Sequence, residues 1–452
     1  MKHFFSITQA IALLLLGSCV TVPHDGGLPD VQRELRVRSN QTVELTPPAM
    51  ADDERVLTTL RTRKLDAETA VGIALMNNPQ IQVELTQLGL ARADLLEAST
   101  IRNPILGGEI RFPGSPVRPY ELTLTQSILD IVQLPRRRAA ARAAFGAAKL
   151  RVAAEVLGTA AAVRADFFDL VAASQHVSMN RTIIEAAKAS ADLTRKQHVA
   201  GNITDLDLEN QQAQYEQAKL DLARSEEEVL IARETLIRAL GLRDTTINWQ
   251  IEDDFQRPPA TEMSEADLAQ MLATRRLDIA AARREVEAAE RLLPIARLSA
   301  IGDIDAGVHR ERDAEGPTTT GPEVTIPIPI FNRGAAARAR AEAQLLMRRQ
   351  QLSAITAAAS SEVRAAQDRL LSARGRVEYY RDVLIPRRQR IVALTQLEHN
   401  AMVAGFFQLI QARQNEASAG RDYIDAQRDY WIARTNLDRA LNGIPEKRQG
   451  GQ

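Results

Sequence analysis

A single cysteine in 452 residues leaves no partner for a disulfide within the chain, so packing has to supply the stability. Aromatic residues make up 4% and charged residues 25%, with a net charge of −1. That balance excludes the basic face of a nucleic-acid binder and favours long helices flanked by solvent. The HExxH, GxSxG, phosphate-loop and dinucleotide fingerprints are missing, as are paired cysteines. No catalytic constellation, cofactor or metal site is expected, and the chain does not read as an enzyme. The histidines, His3, His24, His176, His198, His309 and His399, are scattered. His198 and His399 lie near what the repeat below makes two helix tips, where they read as exposed helical histidines or as a metal-sensing ring.

What the chain does contain, it contains twice. Two strand hairpins, Pro104 to Asp130 and Gly302 to Ile330, sit between long Ala-, Arg- and Glu-rich helical stretches. Both alternate with the period of two that gives a strand one apolar and one polar face. Leu106, Ile110 and Phe112 oppose Glu109 and Arg111, and Tyr120, Leu122, Leu124 and Ile128 oppose Glu121, Thr123, Thr125 and Ser127. In the second hairpin Ile304, Ala306 and Val308 oppose Asp303, Asp305 and His309. Val324, Ile326, Ile328 and Ile330 then oppose Glu323 and Thr325.

Strands of about ten residues cross a tilted span of bilayer, and apolar-out, polar-in alternation marks a transmembrane barrel. Four strands cannot close one, and an open edge cannot face lipid with its backbone groups unpaired. Three copies would supply about twelve strands, wide enough for a channel. The alternative is a soluble α+β protein whose sheet rests on its own helices.

The N-terminus bears on that choice. Met1 to Ser18 carries Lys2, the apolar run Ile11 to Leu16 and then small residues. This is a secretory signal, too short for a membrane span. Cys19 follows Leu16-Gly17-Ser18 and resembles the lipobox of bacterial lipoproteins, which implies acylation, and Val20 in place of Asp implies the outer membrane. Residues 19–64, with Pro23, Gly26, Gly27, Pro29, Pro47 and Pro48, read as an extended lipidated linker. The repeats are placed at 65–243 and 264–443, followed by a flexible tail at 444–452.

In the second arm of the first repeat, Leu208, Tyr215, Leu222, Val229 and Leu236 recur every seven residues, shadowed by Gln211, Ala218, Ser225, Ala232 and Ala239. Leu409, Glu416, Tyr423, Tyr430 and Leu437 do the same in the second repeat, shadowed by Ala412, Ala419, Ala426, Ala433 and Ala440. A sustained heptad predicts tight antiparallel coiled coils. Unbroken first arms from about Arg136 to Ala200 and from Gly334 to Ala404 would be on the order of 100 Å long. Val199-Ala200-Gly201 and Val403-Ala404-Gly405 are expected as the far turns, each ended by a left-handed glycine. On that pairing the first tip needs three more residues than the second to reach its first heptad leucine.

The order helix, strand, strand, long helix, helix, all repeated, is joined by several segments. These are the lipobox, Leu65-Asp66-Ala67-Glu68-Thr69-Ala70 leading to Asn77-Asn78-Pro79, Ala200-Gly201-Asn202-Ile203-Thr204-Asp205-Leu206, and Pro327-Ile328-Pro329-Ile330-Phe331-Asn332-Arg333-Gly334. Together they resemble the TolC family of outer-membrane efflux channels, from about Leu65 to Gly443.

The resemblance implies a mainly α fold with a small β part. Long antiparallel coiled-coil helices carry four transmembrane strands per chain, and a homotrimeric 12-stranded barrel continues into an α-helical periplasmic tunnel. It implies a passive, gated exit for substrates delivered by a periplasmic adaptor and an inner-membrane pump, with a lean toward the resistance-nodulation-division type. Asp205 matches an acidic position that helps close the tunnel mouth, with Asp207 a neighbouring candidate; either would equally serve a turn or cap. Gln408 and Gln411 stand where family members often place pore aspartates. Val199, Gly201, Val403 and Gly405 are the expected adaptor-docking tips, and Asn332 the expected N-cap where barrel passes into helix. The competing reading is a lipid-anchored periplasmic coiled-coil scaffold without channel activity. The cargo stays open among drugs, metal ions and small organic compounds.

Overall fold

The computed structural model describes residues 26–39, 45, 53–112, 118–242, 249–298, 301–313 and 316–444. The expected signal segment, Cys19 and the residues from 445 onward lie outside them. The chain forms two compact units, one from residues 1–34, 85–153 and 277–357, the other from 35–84, 154–276 and 358–452.

The first unit holds an antiparallel sheet of β1 (Ile105–Ile110), β2 (Tyr120–Ser127), β3 (Asp305–Arg312) and β4 (Thr318–Thr325), in that spatial order. The two hairpins thus join into one sheet through β2 and β3. Leu106 pairs with Leu124, Leu124 with Val308, and Ala306 with Val324, so the aliphatic residues share a face. That face is bare, with Leu106 74% and Val324 61% exposed. An aliphatic sheet face left open calls for apolar surroundings. Arg310 and Arg312 end the band at the loop side of the sheet.

The strands are shorter than the alternation predicts, six residues in β1 and eight in each of the others. Ile326, Ile328 and Ile330 fall outside β4, because Pro327 and Pro329 have no N–H to give the ladder. Ile128 already belongs to helix α5 (Ile128–Val199). At this junction buried Asp130 meets Arg137 at 2.9 Å and accepts the Arg102 backbone N–H at 3.1 Å. Asn332 does not cap the helix after β4. Its Oδ1 accepts from the Gly334 N–H at 3.1 Å, closing a turn just before that helix starts at Ala335.

The stretch read as an extended linker is helical in part. α1 (Leu28–Ser39) and α2 (Asp53–Thr62) bury Val31, Leu35, Val56 and Leu60. Spaced four apart, these pairs make one apolar stripe, a helical signal that the prolines and glycines around them obscured.

The second unit is built by α3 (Ala67–Asn77), α6 (Asp205–Leu240) and α7 (Glu265–Arg275), with parts of α4 (Pro79–Ser99) and α5. Asp66 caps α3 by accepting the Thr69 N–H at 2.7 Å. Asn77 and Asn78 donate their side-chain amides to the carbonyls of Gly241 and Ala239, at 2.9 and 2.6 Å. They satisfy the orphan acceptors at the end of α6. Gly241 sits at φ 73 with the Asn77 carbonyl 2.4 Å from where a Cβ would stand, so no other residue fits. Of the predicted heptad positions on α6, Gln211, Ala218, Ser225 and Leu236 are buried, whereas Leu208, Tyr215, Leu222 and Val229 are half-buried. Asn180 of α5 donates to the Asp221 carbonyl at 3.3 Å, fixing the register of the two helices.

The second-repeat arm is not one continuous α-helix. Beyond α8 (Leu277–Leu298) and the second hairpin, α9 (Ala335–Tyr379) passes into a π turn (Tyr380–Leu384), then α10 (Ile385–Asn400), and returns as α11 (Phe406–Asn442). Ala359, Val363, Ala366, Leu370, Ala373 and Val377 form a heptad seam on α9 that packs with Ala426, Tyr430 and Leu437. Continued unchanged, it would bring Ile391 inward. Val392 is buried instead and Ile391 is 41% exposed, a shift of one residue across the π turn. Pro386 accounts for its place, since the ring leaves the carbonyl four residues back without a donor.

The connector from α6 to α7 is pinned by Glu262. Its carboxylate accepts from Tyr430 Oη (2.6 Å), Arg374 (3.1 Å) and Arg434 (3.3 Å). Burial, with the Glu262 carboxylate beside it, pushes the Tyr430 phenol up to about 12.

Candidate functional site

Every site residue expected from sequence, apart from Cys19, falls at the two tips, where α5 turns into α6 and α10 into α11. At the first tip Ala200, Gly201 and Asn202 donate to the carbonyls of Lys196, His198 and Gln197. At the second, Ala401, Met402 and Val403 donate to Leu397, His399 and Glu398. The patterns match residue for residue at an offset of 201, and so do the left-handed positions, Gly201 at φ 75 and Met402 at φ 58.

Gly405 is therefore not the partner of Gly201. Its φ of −70 is ordinary, and it is the N-cap of α11, as Thr204 is the N-cap of α6. The Val-Ala-Gly triplet sits three residues later in the second tip than in the first, so it does not mark equivalent turns. With Met402 in the glycine's place both tips reach Leu208 and Leu409 after the same number of residues, and the three-residue difference disappears. The heptad spacing was the signal that could have shown this.

The gate candidates now have definite surroundings. Asp205 opens α6 with its carboxylate 93% exposed, and its Oδ1 lies 2.6 Å from His198 Nε2. Asp207 is a capping residue: it accepts from the Thr204 backbone at 3.3 Å and its hydroxyl at 2.7 Å, and its own N–H donates back to Thr204. Gln408 stands at the equivalent place and accepts the Gly405 N–H at 3.2 Å. Gln411 donates to the Asn415 side chain at 3.4 Å. His399 Nδ1 meets the Ala404 carbonyl at 3.2 Å, so the two tip histidines serve different contacts. Among the described residues no group of three or more His, Cys, Asp or Glu could hold a metal. The apolar tip residues are bare: Val199, Leu206, Met402, Val403 and Phe407 all point into solvent.

Away from the tips, Asp166 on α5 is raised to about 6 by burial and by the neighbouring Asp169 carboxylate.

A bare aliphatic sheet face, two matched helical tips and the duplicated order of elements are what an outer-membrane efflux channel is made of. The family described as outer membrane efflux protein matches residues 70–242 and 268–443. The chain belongs to that family. Cobalt-zinc-cadmium resistance protein CzcC of Cupriavidus metallidurans is 20% identical over 387 residues, covering 83% of this chain and 90% of that one. Among solved structures, a membrane protein from Pseudomonas aeruginosa aligns with a TM-score of 0.73 at 20% identity, over 85% of this chain and 92% of its own. The CmeC outer membrane channel of Campylobacter jejuni gives 0.70 at 16%, over 85% and 87%. The protein is an outer-membrane efflux channel, the exit of a tripartite efflux system, with its helices extending into the periplasm.

Proposed function

We propose that three copies of this chain close a twelve-stranded barrel over a helical tunnel, passively discharging what a periplasmic adaptor and an inner-membrane pump of the resistance-nodulation-division type deliver. The observation that carries this reading is the sheet: β1 and β4 have no further strand partner among the described residues, and one face is aliphatic and bare. Open edges beside a lipid-facing surface are tolerated only when other strands pair with them. Copies of the same chain offer the matching edges, and a cyclic arrangement closes the ring.

Cys19 would carry the acyl chains that hold each copy at the membrane before assembly. Val199, Gly201, Met402, Val403 and the Gly405 turn form the tips that meet the adaptor, and Asp205 with His198 helps keep the mouth closed. Asp207, Gln408 and Gln411 act in helix starts and surface contacts more than in gating. Likeness to a cobalt-zinc-cadmium resistance protein favours metal ions as cargo over drugs or organic compounds.

Single-channel conductance in planar bilayers, with oligomeric mass measured alongside, tests the reading. A trimer of low conductance that rises with Asp205→Ala supports it. A monomer or dimer that never conducts overturns it in favour of a periplasmic scaffold.

A further inference from the structure

The sheet face opposite the aliphatic band carries the charge. Its strands present the carboxylates of Glu109, Glu121, Asp305, Glu311 and Glu323 with His309 among them, and Arg111, one residue past the end of β1, sets its guanidinium against them. Three of the carboxylates stand in one row, Glu109 opposite Glu121 and Glu121 opposite Glu311. Like charges directly opposite one another on neighbouring strands are destabilising. Each gap in the row is bridged. Arg111 lies 2.8 Å from Glu109 and 3.5 Å from Glu121, and His309 lies 3.6 Å from Glu121 and 3.5 Å from Glu311. Acid and base thus alternate across three strands, with acids at both ends and in the middle.

This arrangement holds a surplus of negative charge in fixed places. The bridging groups keep the carboxylates close without cancelling them. The aliphatic band assigns this face to the inside of the wall, since only the other face suits lipid.

We propose that the row Glu109–Arg111–Glu121–His309–Glu311 is an ion filter in the barrel wall, making the outer exit prefer cations, inorganic or small organic, over anions of similar size. The inference rests on the channel reading above and names its selectivity. Fixed charge of one sign in a confined passage between low-dielectric walls enriches counter-ions and repels co-ions. In a ring of copies the row repeats around the passage. Because Arg111 is the cationic member held between two carboxylates, it sets how much negative charge the row shows.

The test is the reversal potential of bilayer-inserted full-length protein in a potassium chloride gradient. Glu121→Gln with Glu311→Gln should lower the potassium-to-chloride permeability ratio by at least about twofold, and Arg111→Gln should raise it. The opposite signs separate a charge effect from damage to the sheet, and heat-modifiable migration on a gel checks that each variant is assembled. Conducting variants with the wild-type ratio would overturn the filter and leave the channel standing. A wild-type protein that never conducts would overturn the channel reading, and the filter with it.

Discussion

His198 Nε2 lies 2.6 Å from Asp205 Oδ1, joining the last turn of α5 to the first turn of α6. Both ends of the contact agree with the helix dipoles, a basic group at a C-terminus and a carboxylate at an N-terminus. Contacts this exposed contribute less than about 1 kcal/mol. A clasp of that size holds a loop without locking it. His198→Gln should therefore raise channel opening in the same direction as Asp205→Ala, and the double variant should add little to either. Additive effects in bilayer recordings would show that the two residues act separately.

Met402 occupies a backbone region that costs an L-residue with a side chain, while its counterpart Gly201 occupies it freely. Met402→Gly should stabilise the second tip by about 0.5–1 kcal/mol. Hydrogen exchange of the Val403 and Ala404 amides, both bonded to the Glu398 carbonyl, would slow two- to fivefold by that estimate. Unchanged exchange would mean the left-handed residue carries no strain.

The residues that build this tip show how far the sequence could be read. Heptads, strand alternation and the order of elements follow from periodicity, which reports burial directly, and they named the fold. The left-handed turn at Met402 follows from hydrogen bonds to carbonyls three to five residues back, and no residue preference announces it. Asp205 was legible as a gate candidate and His198 as a tip histidine; their contact, seven residues apart across a turn, was not. The π turn was hidden for a similar reason, since Pro386 marks a disturbed helix without saying which way the chain accommodates it.

Asp166 gives the stability a pH dependence of known sign. Its carboxyl is raised to about 6 in the folded chain from an ordinary 3.8. The folded state therefore binds the proton more tightly, and stability falls as pH rises from about 4 through 6. Asp166→Asn should remove this loss, stabilising the protein by on the order of 1–3 kcal/mol at pH 7.5 and by little at pH 4. Denaturation midpoints of both proteins at the two pH values check it.

Removing Glu262 leaves Tyr430, Arg374 and Arg434 without their common acceptor. Glu262→Ala should cost on the order of 2–4 kcal/mol, more than Tyr430→Phe, which gives up one hydrogen bond. Urea unfolding of the single and double variants would reveal the coupling. If Tyr430→Phe cost as much as Glu262→Ala, the phenol would be the centre of the network.

The π turn at Tyr380–Leu384 makes the gene unequal in its tolerance of small deletions. Losing one codon there would let the arm run on as a regular α-helix with every later side chain of α10 kept on its face, because the turn holds one residue more than an α-helical turn needs. Val392 would stay in the seam and Met402 on its side of the tip, whereas one codon lost from the regular turns of α9 would rotate the side chains beyond it by about 100°. In a one-codon deletion library across residues 360–390, functional survivors should therefore gather at the π turn and be nearly absent from the regular turns of α9.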